Sequence, residues 1–183
     1  MTDILMLHTK RLTLRSIKPE DAPAVFKYRS NAIANQYQGW IPKTVDDVDD
    51  FIVNKTSPEL DVHDTWHQLV IILKEKNELI GDIGLHFLDE ESKQLEIGCT
   101  LNKNYHGKGY AKEALKETIN FLFMDLNKHR IVTSIDPRNL PSIALVERLG
   151  FKKEAHFKES ILINGEWVDD VVYAMLRDDW KTG

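Results

Sequence analysis

A glycine-rich loop that leads directly into an amphipathic helix is the feature of this 183-residue chain that most limits its fold. In "NKNYHGKGYAKEALKETINFLF" (102–123), the small residues Gly107, Gly109 and Ala111 precede apolar residues at helical spacing. Glycine permits a positive φ and close approach to the backbone, and a helix N-terminus attracts anions. The loop is therefore typical of a phosphate site. A turn without a ligand is the alternative reading of the loop alone.

Two common phosphate-binding motifs do not fit this loop. The dinucleotide motif G-x-G-x-x-G needs a third glycine and a strand directly before it, whereas "NKNYH" separates this loop from the nearest strand pattern. The motif G-x-x-x-x-G-K-[ST] needs Ser or Thr after its lysine, and Lys108 is followed by Gly109. Both motifs are excluded by spacing.

The rest of the chain alternates strand and helix patterns. Residues with strand-like patterns lie at 11–17, 66–73, 78–88, 94–101, 130–136, 151–163 and 166–176, the last two flanking the hairpin signal "NG". Helical patterns lie at 18–31, at 42–55 with Thr44 as the cap, after the loop, and at 140–149 before Gly150. We predict a mixed α/β sheet of six to seven strands with helices packed on it.

Composition limits the classes of function. The single cysteine, Cys99, excludes an internal disulfide framework and favours the reducing cytoplasm. A formal net charge of -5 disfavours a nucleic-acid surface, and no apolar run reaches the ~18 residues of a membrane helix. Without repeats or linkers, we predict one domain over 1–183.

Three sequence blocks together resemble the GNAT acetyltransferases. "HGKGYA" is similar to their Q/R-x-x-G-x-G/A signature, with Gly109 and Ala111 at the small positions and His106 where the family usually has Gln or Arg. "EIGCTLNKNYHGKGYAKEAL" and "DPRNLPSIALVERLGFKKE" resemble the branch of ribosomal-protein N-acetyltransferases. Similarity extends from "KRLTLRSIKPEDA" to "VYAMLRDDW", nearly the full chain.

The resemblance implies a fold and a co-substrate. The GNAT sheet is mostly antiparallel, has helices on both faces, and contains a splayed parallel strand pair that forms the acetyl-CoA cleft, here the strands at 94–101 and 130–136. The pyrophosphate of acetyl-CoA would lie on the loop amides. The cofactor-binding residues implied are Cys99, Thr100, Leu101, His106, Gly107, Lys108, Gly109, Tyr110, Ala111, Asn139 and Ser142.

Acetyl transfer to an amine needs a proton acceptor and a proton donor. Glu96 is the first candidate for the base, because the resemblance places a carboxylate there, and a surface glutamate without a role is the alternative. Ser142 stands where the ribosomal branch carries a serine that would protonate the leaving thiolate, and a helix-start residue is the alternative. Asn139 would bond pantetheine or cap the helix.

Other residues are assigned to the acceptor side. Tyr37 and Trp40 are predicted as an aromatic lid, with core packing as the alternative. His86 is predicted to contact the acceptor or to act as a second base, with a structural histidine as the alternative. No metal is expected, since the zinc-like spacing of His63 and His67 falls in a strand pattern. Cys99, on the apolar face of its strand, is expected to be inert.

We therefore predict an N-acetyltransferase that uses acetyl-CoA and acts directly, in a ternary complex, on a primary amine such as a protein N-terminal α-amine. A non-catalytic acyl-CoA-binding or sensor domain, and a nucleotide-binding module of another kind, are the alternatives. The acceptor stays open among a ribosomal protein terminus, a polyamine, an antibiotic and a small amine. Aromatic residues in the late hairpin are compatible with a homodimer.

Overall fold

One eight-stranded sheet organises the residues that the computed structural model describes, which are 5–88, 93–163 and 165–180. The strands, in spatial order β1-β2-β3-β4-β5-β6-β8-β7, are β1 (Met6–His8), β2 (Leu12–Ser16), β3 (Thr65–Leu73), β4 (Glu78–Phe87), β5 (Gln94–Leu101), β6 (Arg130–Ile135), β7 (Lys152–Ile163) and β8 (Glu166–Leu176). Neighbours pair antiparallel except β5 and β6, which are parallel. The predicted fold class is confirmed. The sheet has one strand more than the six or seven expected, because β1 is too short to show alternation.

Four helices cover the two faces of the sheet: α1 (Ala22–Arg29), α2 (Val45–Asp50), α3 (Tyr110–Asn120) and α4 (Leu140–Leu149). α1 and α2 share one apolar cluster, and α3 and α4 pack into the larger core on the opposite face. We call the sheet face covered by α1 and α2 the α1 face, and the face covered by α3 and α4 the α3 face. Thr44 caps α2 by accepting a hydrogen bond from the Asp47 amide at 3.1 Å, and Gly150, at φ +100°, ends α4. Both boundaries agree with the sequence prediction.

Alternation along β5 divides its side chains between the two faces. Leu95 and Ile97 are buried in the core under α3, whereas Glu96 pairs across the sheet with His86 of β4 on the α1 face. Thr100 likewise pairs with Asp82. Alternation along the strand therefore places a row of polar residues on the α1 face, opposite the main core.

The last two strands form a hairpin, as the sequence predicts. Ile163 pairs with Glu166 and Gly165 has φ +85°, while Asn164 of the "NG" signal lies outside the described residues. Phe157, Leu162 and Trp167 are exposed on this hairpin, and the homodimer stays a prediction. Within the described ranges, no helix is long and apolar enough to cross a membrane.

A buried ionic cluster joins α1 to the sheet. Asp82, 1% exposed, accepts hydrogen bonds from the Tyr28 hydroxyl at 2.6 Å, from Arg29 Nη2 at 2.5 Å and from the Gln68 side-chain amide. Arg29 also lies over the ring of Trp40, 5.5 Å from its centroid. A carboxylate this deeply buried depends on these donors for its charge, so α1 is held in one position above β3 and β4.

Replacing Arg29 with methionine should destabilise the protein strongly, because it leaves the Asp82 carboxylate buried without a cation. We expect a loss of about 3 to 5 kcal/mol in the free energy of unfolding, measured by urea denaturation. Arg130→Met is the matched control, since it breaks the exposed pair with Glu154 and should cost at most about 1 kcal/mol. Equal losses in the two variants would contradict this account.

Candidate active site

A cleft opens where β5 and β6 stop pairing. Their ladder joins residues 94–96 to 130–132, and in the described structure no further pair joins the two strands. The opening encloses about 700 Å³ of empty space, part of it open to solvent, and its lining includes Gly98 and Cys99 of β5, Ser134 of β6 and Ser142 of α4. A Cβ added to Gly98 would meet nothing within 4 Å. The splayed parallel pair that the resemblance implied is present.

The glycine loop lies between β5 and α3 and presents its backbone to solvent. Gly107 and Gly109 have φ of +73° and +78°, and Gly109 directly precedes the first turn of α3. Arg11 of the β1–β2 turn holds the loop, donating from Nη1 to the Lys108 carbonyl at 2.9 Å and from Nε to Glu113 at 2.6 Å. The first amides of α3 have no intrahelical acceptor. The loop is thus an exposed, supported surface of N–H groups.

Several side chains predicted for the loop instead bind the protein itself. His106 Nε2 donates to the Leu101 carbonyl at 2.8 Å, and Lys108 Nζ donates to the Asn104 carbonyl at 3.1 Å. Tyr110 lies under the Arg11 guanidinium, 4.3 Å from the ring centroid, and Ala111 is half-buried. The loop therefore offers a ligand mainly its backbone, and for that reason His106 in place of the usual Gln or Arg is expected to do little harm.

Asn139 and Ser142 stand at the start of α4, on the wall of the cleft. The Asn139 side-chain oxygen accepts a hydrogen bond from the Ser142 amide at 3.3 Å, so Asn139 caps α4, which is one of its two predicted roles. The Ser142 hydroxyl has no hydrogen-bond partner among the described residues and is half-buried. A hydroxyl in that state is available to a bound molecule.

Glu96 lies on the α1 face, one residue before the cleft opens. Burial raises the pKa of its carboxyl, the nearby Asp170 charge raises it further, and His86 opposes both. His86 stacks on Trp66 with ring centroids 4.6 Å apart, and its Nε2 is 3.5 Å from Asp64. His86 is therefore held beside Glu96 as a packed neighbour.

The two predicted lid residues occupy different places. Tyr37 lines the cleft, and the Arg138 guanidinium lies 5.8 Å from its ring centroid. Trp40 stacks on Phe51 with centroids 4.5 Å apart and belongs to the cluster under α1 and α2, outside the cleft lining. For Trp40 the geometry favours the core-packing alternative.

The strand residues named as cofactor-binding separate by face. Cys99 lines the cleft, whereas the Thr100 side chain is buried on the α1 face and the Leu101 side chain packs against the core. Only backbone groups of Thr100 and Leu101 are placed to serve a ligand, and the Leu101 carbonyl is already used by His106. In the described part of the chain, no three His, Cys, Asp or Glu side chains are grouped to hold a metal ion.

Sequence reasoning missed two polar residues of this region. Ser134 lines the cleft, and its hydroxyl donates to Asp170 at 2.7 Å. Alternation in "RIVTSID" places Ser134 on the polar face, but a serine in a strand is too common to signal a site. Asp170, in "EWVDDVVYAML", would have been found only as an acid on the buried side of a strand pattern.

Cys99 should react slowly with thiol reagents, because burial, reinforced by the Asp82 charge, raises the pKa of its thiol to about 12. At pH 8 we expect alkylation by iodoacetamide roughly a thousandfold slower in the native protein than in urea, where the pKa returns to about 8.5. Mass spectrometry of quenched samples measures both rates. Native labelling at the unfolded rate would overturn this description and reopen an acyl-enzyme route.

Comparison with known proteins agrees with the geometry. Residues 11–152 match the family described as "Acetyltransferase (GNAT) domain". An uncharacterised N-acetyltransferase, p20, from Bacillus licheniformis is 34% identical over 175 residues, which cover 95% of this chain and 97% of that protein.

Solved structures show the same architecture. A GNAT-family acetyltransferase from Bacillus anthracis superposes with a TM-score of 0.84 at 31% identity, covering 95% of this chain and 99% of that one. RimL, a ribosomal L7/L12 α-N-protein acetyltransferase solved in complex with coenzyme A, shares the fold with a TM-score of 0.82 at 18% identity, covering 96% of this chain and 99% of that chain.

Proposed function

This chain belongs to the GNAT acetyltransferase family, and from that membership we propose that it transfers the acetyl group of acetyl-CoA directly to a primary amine in a ternary complex. The observation that carries the proposal is the cleft between β5 and β6, with the glycine loop at the start of α3 and with Ser142 on its wall. One opening thus joins an anion-binding surface to polar groups suited to acyl transfer.

The residues that would hold acetyl-CoA fit its chemistry. The exposed residues Gly107 to Gly109, together with the first amides of α3 that have no intrahelical acceptor, suit the pyrophosphate. The unpaired edge of β5 after Glu96 offers strand-like hydrogen bonds to the amides of pantetheine. RimL, which has this fold, was solved with coenzyme A, which supports the same use of the cleft here.

The proposed reaction moves two protons while one bond is exchanged for another. Glu96 takes a proton from the acceptor ammonium, directly or through a water, so that the amine lone pair attacks the thioester carbonyl. A backbone N–H near Cys99 or Thr100 stabilises the oxyanion. As the new N–C bond replaces the C–S bond, the Ser142 hydroxyl gives its proton to the departing thiolate and takes up, through solvent, the second proton that the nitrogen loses. The products are the amide, the CoA thiol and protonated Glu96.

Glu96 and Ser142 have environments that match these roles. A carboxyl with a raised pKa is a stronger base than an ordinary glutamate, which favours proton abstraction near neutral pH. Ser142 has a hydroxyl free of other partners among the described residues. The high thiol pKa of Cys99 disfavours an acyl-enzyme, so direct transfer is proposed.

The acceptor proposed first is a protein N-terminal α-amine. RimL is named as acting on a ribosomal protein, and the same fold here supports testing peptide acceptors before other amines. Tyr37, at the cleft, is proposed to contact that acceptor, with His86 on the neighbouring strand.

Glu96→Gln should lower kcat/KM for acetyl transfer by about 10²- to 10⁴-fold and remove an ionisation from the acidic limb of the pH profile. In the wild type this ionisation should lie above the usual glutamate pKa. Ser142→Ala should lower kcat and leave that ionisation in place. These rates and pH profiles are measured by acetyl transfer to a panel of peptides, with release of the CoA thiol as the signal.

The control for these variants is Glu75→Gln, which changes an exposed acid in the β3–β4 turn.

Because folding raises the pKa of Glu96, the negative charge of Glu96 opposes folding above that pKa. The Glu96→Gln variant should therefore unfold at higher urea than the wild type at neutral pH, and this advantage should vanish at acid pH. Full activity in Glu96→Gln would contradict the assignment of the base but leave acetyl transfer standing.

A further inference from the structure

Asp170 of β8 is a buried carboxylate without a cation beside it. It is 8% exposed, and its hydrogen bond comes from the Ser134 hydroxyl at 2.7 Å. Three other aspartates are equally buried, and each pairs with an arginine: Asp21 with Arg15, Asp82 with Arg29, and Asp136 with Arg138. In the described ranges, no Lys, Arg or His lies within ion-pair distance of Asp170.

Such a carboxylate is costly to the folded protein. A buried charge that lacks a counter-ion loses hydration without a matching Coulomb attraction, and one hydroxyl donor compensates only part of that loss. A buried carboxylate without a counter-ion is a candidate for pairing with a cationic ligand. At the other three buried aspartates, an arginine of the chain supplies the compensating positive charge. At Asp170 none of the described residues supplies that cation.

The position of Asp170 points to the acceptor as the source of that cation. Ser134 lies on the cleft wall and uses its proton on Oδ1 of Asp170. The second oxygen, Oδ2, has no donor among the described residues, yet no buried side-chain oxygen there is unsatisfied, so Oδ2 reaches solvent. The charge of Asp170 is also felt at Glu96, whose pKa it raises. Asp170 is thus bonded to a residue of the cleft wall, acts electrostatically on Glu96, and keeps one oxygen accessible.

The sheet register sets the spacing of the two carboxylates. Glu96 is level with Val132 in the β5–β6 ladder, and Ser134 lies two residues further along β6, about 7 Å at the usual rise of a strand. Asp170 lies beyond Ser134 on the same α1 face, since Val172 pairs with Ser134 and alternation returns to that face at Asp170. By that register Asp170 lies four residues, about 13 Å, past Glu96 along the strands and two strands away, so an acceptor held at both carboxylates must carry two cations on a chain long enough to bridge them.

We propose that Asp170 binds a second positive charge on the acceptor, so that the enzyme prefers amines that carry another cation on the same molecule. The inference rests on the proposed acetyl transfer and names its substrate class. Two sources carry this chemistry: a small aliphatic diamine, and a peptide whose first residue is followed by lysine. Ser134 is a positioning residue, because its bond to Oδ1 orients the carboxylate.

The test compares matched acceptors with and without the second charge. One pair is 1,4-diaminobutane and 1-aminobutane, and the other is the peptides Ala-Lys-Ala-Ala and Ala-Leu-Ala-Ala. We expect the wild type to favour the charged member of at least one pair by tenfold or more in kcat/KM. Asp170→Asn should reduce that ratio to near one, whereas the matched control Asp169→Asn, whose carboxylate binds His156 and the Glu159 amide, should keep it.

Melting temperature separates a binding role of Asp170 from a purely structural one. The asparagine variant keeps the side-chain shape and removes the uncompensated charge, so for a binding role its melting temperature should equal or exceed that of the wild type, while the acceptor ratio changes. A preference within the diamine pair assigns the small-molecule source, and one within the peptide pair assigns the protein source. Equal turnover of both members in wild type and variant overturns the inference and leaves acetyl transfer intact. No transfer to any acceptor in the panel overturns the proposed function and this inference with it.

Discussion

The parallel pairing of β5 with β6, and its early end, is the constraint on which the site depends. Three paired positions hold the strands together at one end, and the main core under α3 prevents them from closing beyond it. Backbone groups on an open strand edge keep their hydrogen-bonding capacity, and an extended ligand can use them as another strand would. Pairing along the full length of β6 would leave no cleft, whatever residues lined it.

Two ion pairs, one buried and one partly exposed, support the two sides of this opening. On the α1 face, Asp82 and Arg29 fix α1 against the strands that carry His86 and Glu96. At the other end, Arg11 binds both Glu113 of α3 and the Lys108 carbonyl, and so joins the β1–β2 turn to the loop and to the helix. Preorganisation of this kind matters because acyl transfer depends on geometry more than on new contacts.

Much of this arrangement could be predicted from local patterns. Alternation along "QLEIGCTL" placed Glu96 on the face opposite Leu95, and cap chemistry located the ends at Thr44 and Gly150. Patterns failed where partners are distant in sequence. β1 depends on pairing with β2, and Trp40 is explained by its stack on Phe51 rather than by the loop around it.

The polar side chains of the site were the hardest to predict. His106 and Lys108 look like ligand-binding groups in the sequence, yet both bind nearby carbonyls, which only the turn geometry reveals. Asp170 stands out because no described cation pairs with it. This difference is visible only beside the other three buried aspartates, each of which pairs with an arginine. Spacing along a chain carries no record of a counter-ion that none of the described residues supplies.

The most direct test of the central claim is thermal melting of the protein with acetyl-CoA, CoA, ATP and NADH in parallel. At a ligand concentration a hundredfold above Kd, binding to the cleft should stabilise the folded state by about 2.7 kcal/mol and raise the melting temperature by several degrees. This shift is expected with acetyl-CoA and CoA, and no shift is expected with ATP or NADH. A shift with ATP or NADH and none with either CoA species would contradict the assignment of the cleft.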